Sequence, residues 1–160
     1  MSGAATIDGP KFAHERSALS GRLSIAALPR LAESGCRSAE IRYTLEGRMD
    51  AAGKAGLRIK VDGDVEVSCQ RCLQGLPVPM SVDADLELTA SRDAAEAAED
   101  GVDRVVASRS MSVAELVEDE LLLALPMVPM HAACAAPAKD DGARPMPFAA
   151  LAELRKRGAG

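Results

Sequence analysis

The chain is poor in rings. Its 160 residues include no Trp, one Tyr (Tyr43), two Phe (Phe12 and Phe148) and two His (His14 and His131). A core must therefore come from Leu, Val, Ile and Met, each contributing roughly 1.5–3 kcal/mol when fully buried. Two histidines are too few for a multi-histidine metal or acid–base centre. There is no GxGxxG, no P-loop and no GxSxG, so the common nucleotide-binding and hydrolase signatures are missing. No apolar run approaches the ~18 residues of a membrane-spanning helix. The longest candidate, Leu121 to Met130, is broken by Pro126 and Pro129. The first 30 residues lack the apolar stretch of a secretory signal. These absences lead to an expectation of a cytoplasmic, non-enzymatic protein with no membrane partner and no small-molecule substrate.

Charge is plentiful but unevenly placed. The net charge is −5, yet residues 1–60 carry ten Lys/Arg against six Asp/Glu. Residues 61–120 are acidic, and residues 121–160 return to a small positive excess. The middle of the chain repels polyanions while the ends attract them. Total charge therefore neither supports nor excludes a nucleic-acid partner.

Four cysteines without an export signal point to metal binding or catalysis rather than disulfides. Two of them form Cys69-Gln70-Arg71-Cys72, and a third closes His131-Ala132-Ala133-Cys134. A CxxC turn lets two thiolates converge on one ion, and the HxxC offers a second half. Together they make a Cys₃His set, the ligand types and number that tetrahedral Zn²⁺ takes in closed structural sites. The 58 intervening residues are too many for a local finger, so the fold must bring the halves together. Two other readings stand beside zinc: inert thiols, and redox chemistry. Redox is disfavoured because an activated CxxC usually opens a helix, whereas here Leu73-Gln74-Gly75-Leu76-Pro77 follows. Cys36 has no nearby partner and reads as a small core or surface residue, and His14 reads as solvated.

Periodicity predicts the fold. Ile41, Tyr43 and Leu45 alternate with Arg42, Thr44 and Glu46. Asp50 to Gly56 reads as a turn. Leu57, Ile59, Val61, Val65, Val67 and Cys69 share one parity, while Arg58, Lys60, Asp62, Asp64 and Glu66 share the other. That is the pattern of half-buried antiparallel strands, with Gly63 suggesting a bulge or kink. Val78 to Leu88 alternates likewise, so the CxxC becomes the knuckle between two long strands. Val105 and Val106 suggest a further short strand.

A helix is expected over 112–125, opened by Ser112 and Glu115 as a capping box and closed by Pro126. Its apolar stripe is Val113, Leu116, Val117, Leu121, Ala124 and Leu125, with Glu115, Glu118 and Asp119 opposite. Glu120 lies near the stripe and is expected to pair with a buried or sheet-borne Arg. A short helix is weakly signalled at 27–33. There is no internal repeat. The prediction is an α+β fold: a twisted antiparallel sheet of about five strands, one main helix packed on it, and a short C-terminal helix. Residues 1–17 read as a flexible lead-in, 18–134 as the globular domain, and 135–160 as a linker with a short basic helix.

Three stretches resemble the YceD family, the large ribosomal RNA subunit accumulation proteins of bacteria and plastids. They are Val67–Leu73 (VSCQRCL), Val117–His131 (VEDELLLALPMVPMH) with Cys134 after it, and Pro145–Arg157 (PMPFAALAELRKR). The resemblance runs over roughly residues 40–157. Met146 departs from the family's usual Asn before Pro-Phe. The resemblance implies a non-enzymatic factor supporting accumulation or processing of large-subunit (23S) rRNA and ribosome assembly. Its partners would be that rRNA or its precursor, or a large-subunit ribosomal protein. If RNA is touched directly, the expected contacts are Arg42, Arg48, Lys54, Arg58 and Lys60 on the basic face of residues 42–60, with Arg58 and Lys60 on the polar side of their strand, and Arg155, Lys156 and Arg157 in the tail. Two alternatives remain: a zinc-stabilised protein–protein adaptor without RNA contact, and a CxxC thiol oxidoreductase.

Overall fold

The computed structural model describes residues 5–96 and 101–137. Five strands form the main sheet: β2 (Ala18–Ser24), β3 (Ser38–Met49), β4 (Ala55–Ser68), β5 (Gly75–Thr89) and β6 (Arg104–Val106). They lie in the order β2-β3-β4-β5-β6. The first four pair antiparallel, but β5 and β6 are parallel, with Leu88 opposite Val105. The sheet is thus mixed rather than wholly antiparallel. Parallel neighbours need a crossover, and the short helix α3 (Arg92–Glu96) lies within it.

The period-two pattern becomes two faces. Leu57, Ile59, Val61, Val65 and Val67 are buried, together with Ala39, Ile41, Tyr43 and Leu45 of β3. Arg42, Lys60, Asp62, Asp64, Asp83 and Asp85 stand exposed on the other side. The bulge anticipated at Gly63 is absent: it pairs with Ile41 inside an unbroken register. The glycine has a different physical reason. A Cβ there would lie 2.1 Å from the Glu40 carbonyl oxygen, so the two strands approach too closely for any side chain.

Helix α4 (Val113–Ala124) covers the apolar face against β4 and β5. Ser112 caps it, its Oγ accepting from Glu115 N at 3.3 Å. Val113, Leu116, Val117 and Leu121 are buried as the stripe requires, but Ala124 is exposed in the last turn. The carboxylates depart from expectation. Glu118 is buried, not solvated. It accepts from Arg30 Nε at 3.1 Å and from Leu31 N at 2.9 Å, both on α2 (Pro29–Glu33). Asp119 also meets Arg30. The buried or sheet-borne Arg expected for Glu120 is not found among the described residues, where Glu120 has no ion-pair partner; it is Glu118 that meets an arginine, on α2.

Residues 5–17 are not a loose lead-in. Strand β1 (Thr6–Ile7) pairs antiparallel with β7 (Met111–Ser112) just before α4. Helix α1 (Gly9–His14) follows, with Asp8 accepting from Lys11 N at 3.1 Å. Ala13 is fully buried, and a Cβ on Gly47 would sit 2.2 Å from the Phe12 carbonyl oxygen. The helix packs backbone-close on β3. At six residues, it is too short to show a period in sequence. The expected C-terminal helix lies in 138–160, outside the described residues.

Candidate metal centre and polar sheet face

The knuckle joining β4 to β5 is built by its backbone. Cys69 N donates to Gln74 O and Leu73 N to Cys69 O, each at 2.9 Å. Leu73 takes φ +62° to close the turn, a left-handed conformation disfavoured for a branched side chain. Beyond α4, Pro126 turns the chain back toward this tip. Gln70 N donates to Pro129 O at 2.9 Å, and His131 N donates to Cys69 Sγ at 3.4 Å. Arg71 reaches over to the Cys134 carbonyl and Met130 Sδ. These contacts seat the HxxC against the CxxC.

The four side chains expected to meet do meet. One ligand atom from each of Cys69, Cys72, His131 and Cys134 lies within 4.8 Å of all the others. Cys69 Sγ is 3.8 Å from Cys134 Sγ, and Cys72 Sγ is 3.3 Å from His131 Nδ1. A tetrahedral ion with Zn–S near ~2.3 Å sets its sulfurs about 3.8 Å apart. His131 Nε2 lies 3.1 Å from the Gly75 carbonyl. A carbonyl only accepts, so Nε2 carries the proton and Nδ1 offers its lone pair inward, the outer-shell bond typical of metal-bound histidine.

The electrostatics suit a cation. The Cys69 thiol is lowered to about 5, first by the Cys72 backbone N–H and then by those of His131 and Arg71, against the opposing effect of burial. The Cys134 thiol is pushed up, by burial first and then by Cys69 and Cys72. Three thiols this close cannot all ionise without a positive charge among them. The donor set therefore fits Zn²⁺. Cys69 is fully buried, whereas Cys72 is half-buried. Cys36 is buried in the core, beside the Ser34 hydroxyl.

Of the residues expected to contact RNA, the five in 42–60 fall on the outer sheet face, and four of them meet carboxylates. Arg58 grips Asp83 with two bonds of 2.7 and 2.6 Å, and Lys60 lies 3.7 Å from the same carboxylate. Arg48 meets Asp85 at 3.0 Å and Lys54 meets Glu87 at 2.9 Å. The Arg58 guanidinium holds the Asp83 carboxyl below its usual range. Arg42 alone of the five has no carboxylate within 4.0 Å among the described residues. Arg155, Lys156 and Arg157 lie outside them. Arg22 was missed. Leu19, Gly21 and Leu23 alternating with Ser20, Arg22 and Ser24 carry the signal for its strand, weakened by the glycine and by β2's edge position.

Fold and cluster define a class: an α+β domain whose longest hairpin ends in a Cys₃His knuckle. Within that class, residues 57–155 match the family model described as large ribosomal RNA subunit accumulation protein YceD, and the chain belongs to that family. It is 29% identical over 166 residues to a Haemophilus influenzae protein carrying the same description, across 95% of each chain. No solved structure matches it. No helix among the described residues is long and apolar enough to cross a membrane.

Proposed function

We propose that the chain is a non-catalytic cytoplasmic factor that supports accumulation of large-subunit rRNA by binding RNA directly. In this reading Cys69, Cys72, His131 and Cys134 hold a structural Zn²⁺. Family membership supports the rRNA role. The observation that carries RNA contact is the open outer face of the sheet, where Arg42 and Lys60 project into solvent. A Cys₃His zinc has no open coordination position, so it would secure the hairpin tip rather than activate water. Protein purified without added metal should contain one equivalent of zinc; metal-free protein of full stability would remove zinc from the reading. The RNA claim is tested by crosslinking in cells and sequencing the bound RNA. Enrichment of large-subunit rRNA supports it, and recovery no higher than from untagged cells overturns it.

A second reading, the adaptor, is favoured by one observation. Leu123, Met127 and Val128 are 82%, 98% and 60% exposed on the segment leading into His131. Such apolar exposure marks protein-binding surfaces. Stoichiometric capture of a large-subunit ribosomal protein from nuclease-treated extract, lost on Met127→Asp, would support that reading.

A further inference from the structure

The outer sheet face is unevenly neutralised. Near the β3–β4 turn, Arg48, Lys54 and Arg58 each meet a carboxylate of β5. Toward β2 the acids are present but form no ion pair with the arginines: Asp62 stands directly opposite Arg42 on β4, and Glu40 and Asp64 lie further along. Arg22 and Arg42 stand directly opposite each other across β2 and β3, both exposed. Neither has a carboxylate within 4.0 Å among the described residues. Like charges directly opposite on antiparallel strands are destabilising, and an anion lying between them would relieve the repulsion. In the adjacent row Ser20 faces Thr44, which faces Lys60.

These five side chains line one shallow depression of about 380 Å³, whose single acid is Asp62. The Asp62 carboxylate already accepts from Ser81 Oγ at 3.0 Å. Lys60 holds Asp83 only loosely, because Arg58 binds that carboxylate more closely. The chemistry is that of a phosphate cradle: two guanidinium forks, an ammonium and two hydroxyl donors. A larger hollow adjoins it along β2 but contains Glu40 and Asp64. Those acids would steer a polyanion toward the Ser20–Thr44 end.

We infer that Arg22, Arg42 and Lys60, with the Ser20 and Thr44 hydroxyls, form a contact site for the phosphate backbone of RNA. The inference rests on the direct RNA-binding reading and narrows it to the β2–β3 half of the face. It also moves the expected contacts off Arg48, Lys54 and Arg58, whose charges are already matched.

The test uses the full chain and transcribed large-subunit rRNA, with the dissociation constant measured across salt concentration. Replacing both arginines (R22Q/R42Q) removes about two phosphate contacts. The slope of log affinity against log salt should then flatten by about 1.4–1.8 units. Affinity at 0.1 M salt should fall roughly 25- to 60-fold, taking 1 M salt as the point where charge contacts vanish. The paired control R48Q/K54Q should change affinity by less than about threefold. Asp62→Asn, which removes the local acid, should tighten binding. The R22Q/R42Q protein should melt no lower than wild type, since the substitution relieves a repulsion. If wild type binds RNA but R22Q/R42Q keeps its slope, or Asp62→Asn weakens binding, this site is wrong and the broader reading survives. If wild type does not bind RNA at all, both fall together.

Discussion

The β4–β5 hairpin is held in two different ways along its length. Beneath α4, Ile59, Val61 and Val65 join Val113, Val117 and Leu121 in one cluster of buried side chains. At the tip, Cys69 is buried, but Leu73 is 58% exposed and the facing segment presents Met127 and Val128 to solvent. There the chain is held by a few directed contacts: backbone N–H groups on Pro129 O and Cys69 Sγ, and the Cys₃His set. Apolar burial is non-directional and sums over area, so it degrades gradually. A tip built on a few directed bonds depends on each of them. The two regions should therefore fail separately.

Metal withdrawal should give the largest effect, confined to the tip. Structural zinc makes its binding free energy part of folding free energy. Chelation, or Cys134→Ser, should abolish hydrogen-exchange protection at Cys69, Gln70 and Leu73. Val61 and Val65 amides should keep theirs. If protection vanishes everywhere, tip and core are one cooperative unit and the contrast fails. If nothing changes, the tip stands without metal.

The converse experiment breaks the core and spares the tip. Leu121→Ala removes a fully buried side chain from beneath α4. It should cost about 2–5 kcal/mol through lost burial and the cavity left behind. Denaturant titration reads the loss, and zinc stoichiometry should stay the same. A change of only a few tenths would mean that α4 is not seated on the sheet. Glu118→Ala should cost less, about 1–3 kcal/mol, because it strands the buried Leu31 N–H. Glu118→Gln keeps an oxygen for that N–H and should recover part of the loss; equal losses would mean the charge matters and the Leu31 bond does not.

Much of this contrast was legible in sequence, and the part that was not has physical causes. Strict alternation over Leu57–Cys69 located the buried face and the knuckle, since parity survives any strand order. The four clustered Cys and His side chains were legible because their chemistry is rare and their halves are compact. Three things were not. Helix α1 and strand β1 are too short to carry a period, and they are fixed by tertiary contacts such as Gly47 under Phe12. The parallel β6 depends on a crossover that local pattern does not encode. Glu118 was assigned to the polar face opposite the apolar stripe yet is buried, and α2, which supplies its partners, was only weakly signalled. Its burial follows from Arg30 and the Leu31 N–H, neither of which a helical wheel displays. For the same reason the outer-face cations looked equivalent in sequence, until the register set Asp83, Asp85 and Glu87 against some of them and not others.

The smallest expected effect separates two carboxylates one residue apart from each other. Glu118 has a cation and a backbone N–H, whereas Glu120 is buried with no hydrogen-bond or ion-pair partner among the described residues. Burial first, then the charges of Asp103 and Asp119, pushes the Glu120 carboxyl above its usual range. A carboxyl raised on folding contributes its stability below the unfolded value, near pH 4, where it is protonated in both states. That contribution is lost as pH rises through the raised folded value, so ionised Glu120 weighs against folding at neutral pH. Glu120→Gln should therefore raise the melting temperature at pH 7–8, with the gain shrinking on acidification and vanishing below about pH 4. Glu118→Gln at pH 7 should do the opposite, because it discharges the partner of Arg30. A melting temperature for Glu120→Gln at or below wild type across the whole range would mean that the carboxylate holds an ionic partner, and the contrast between the two glutamates would collapse.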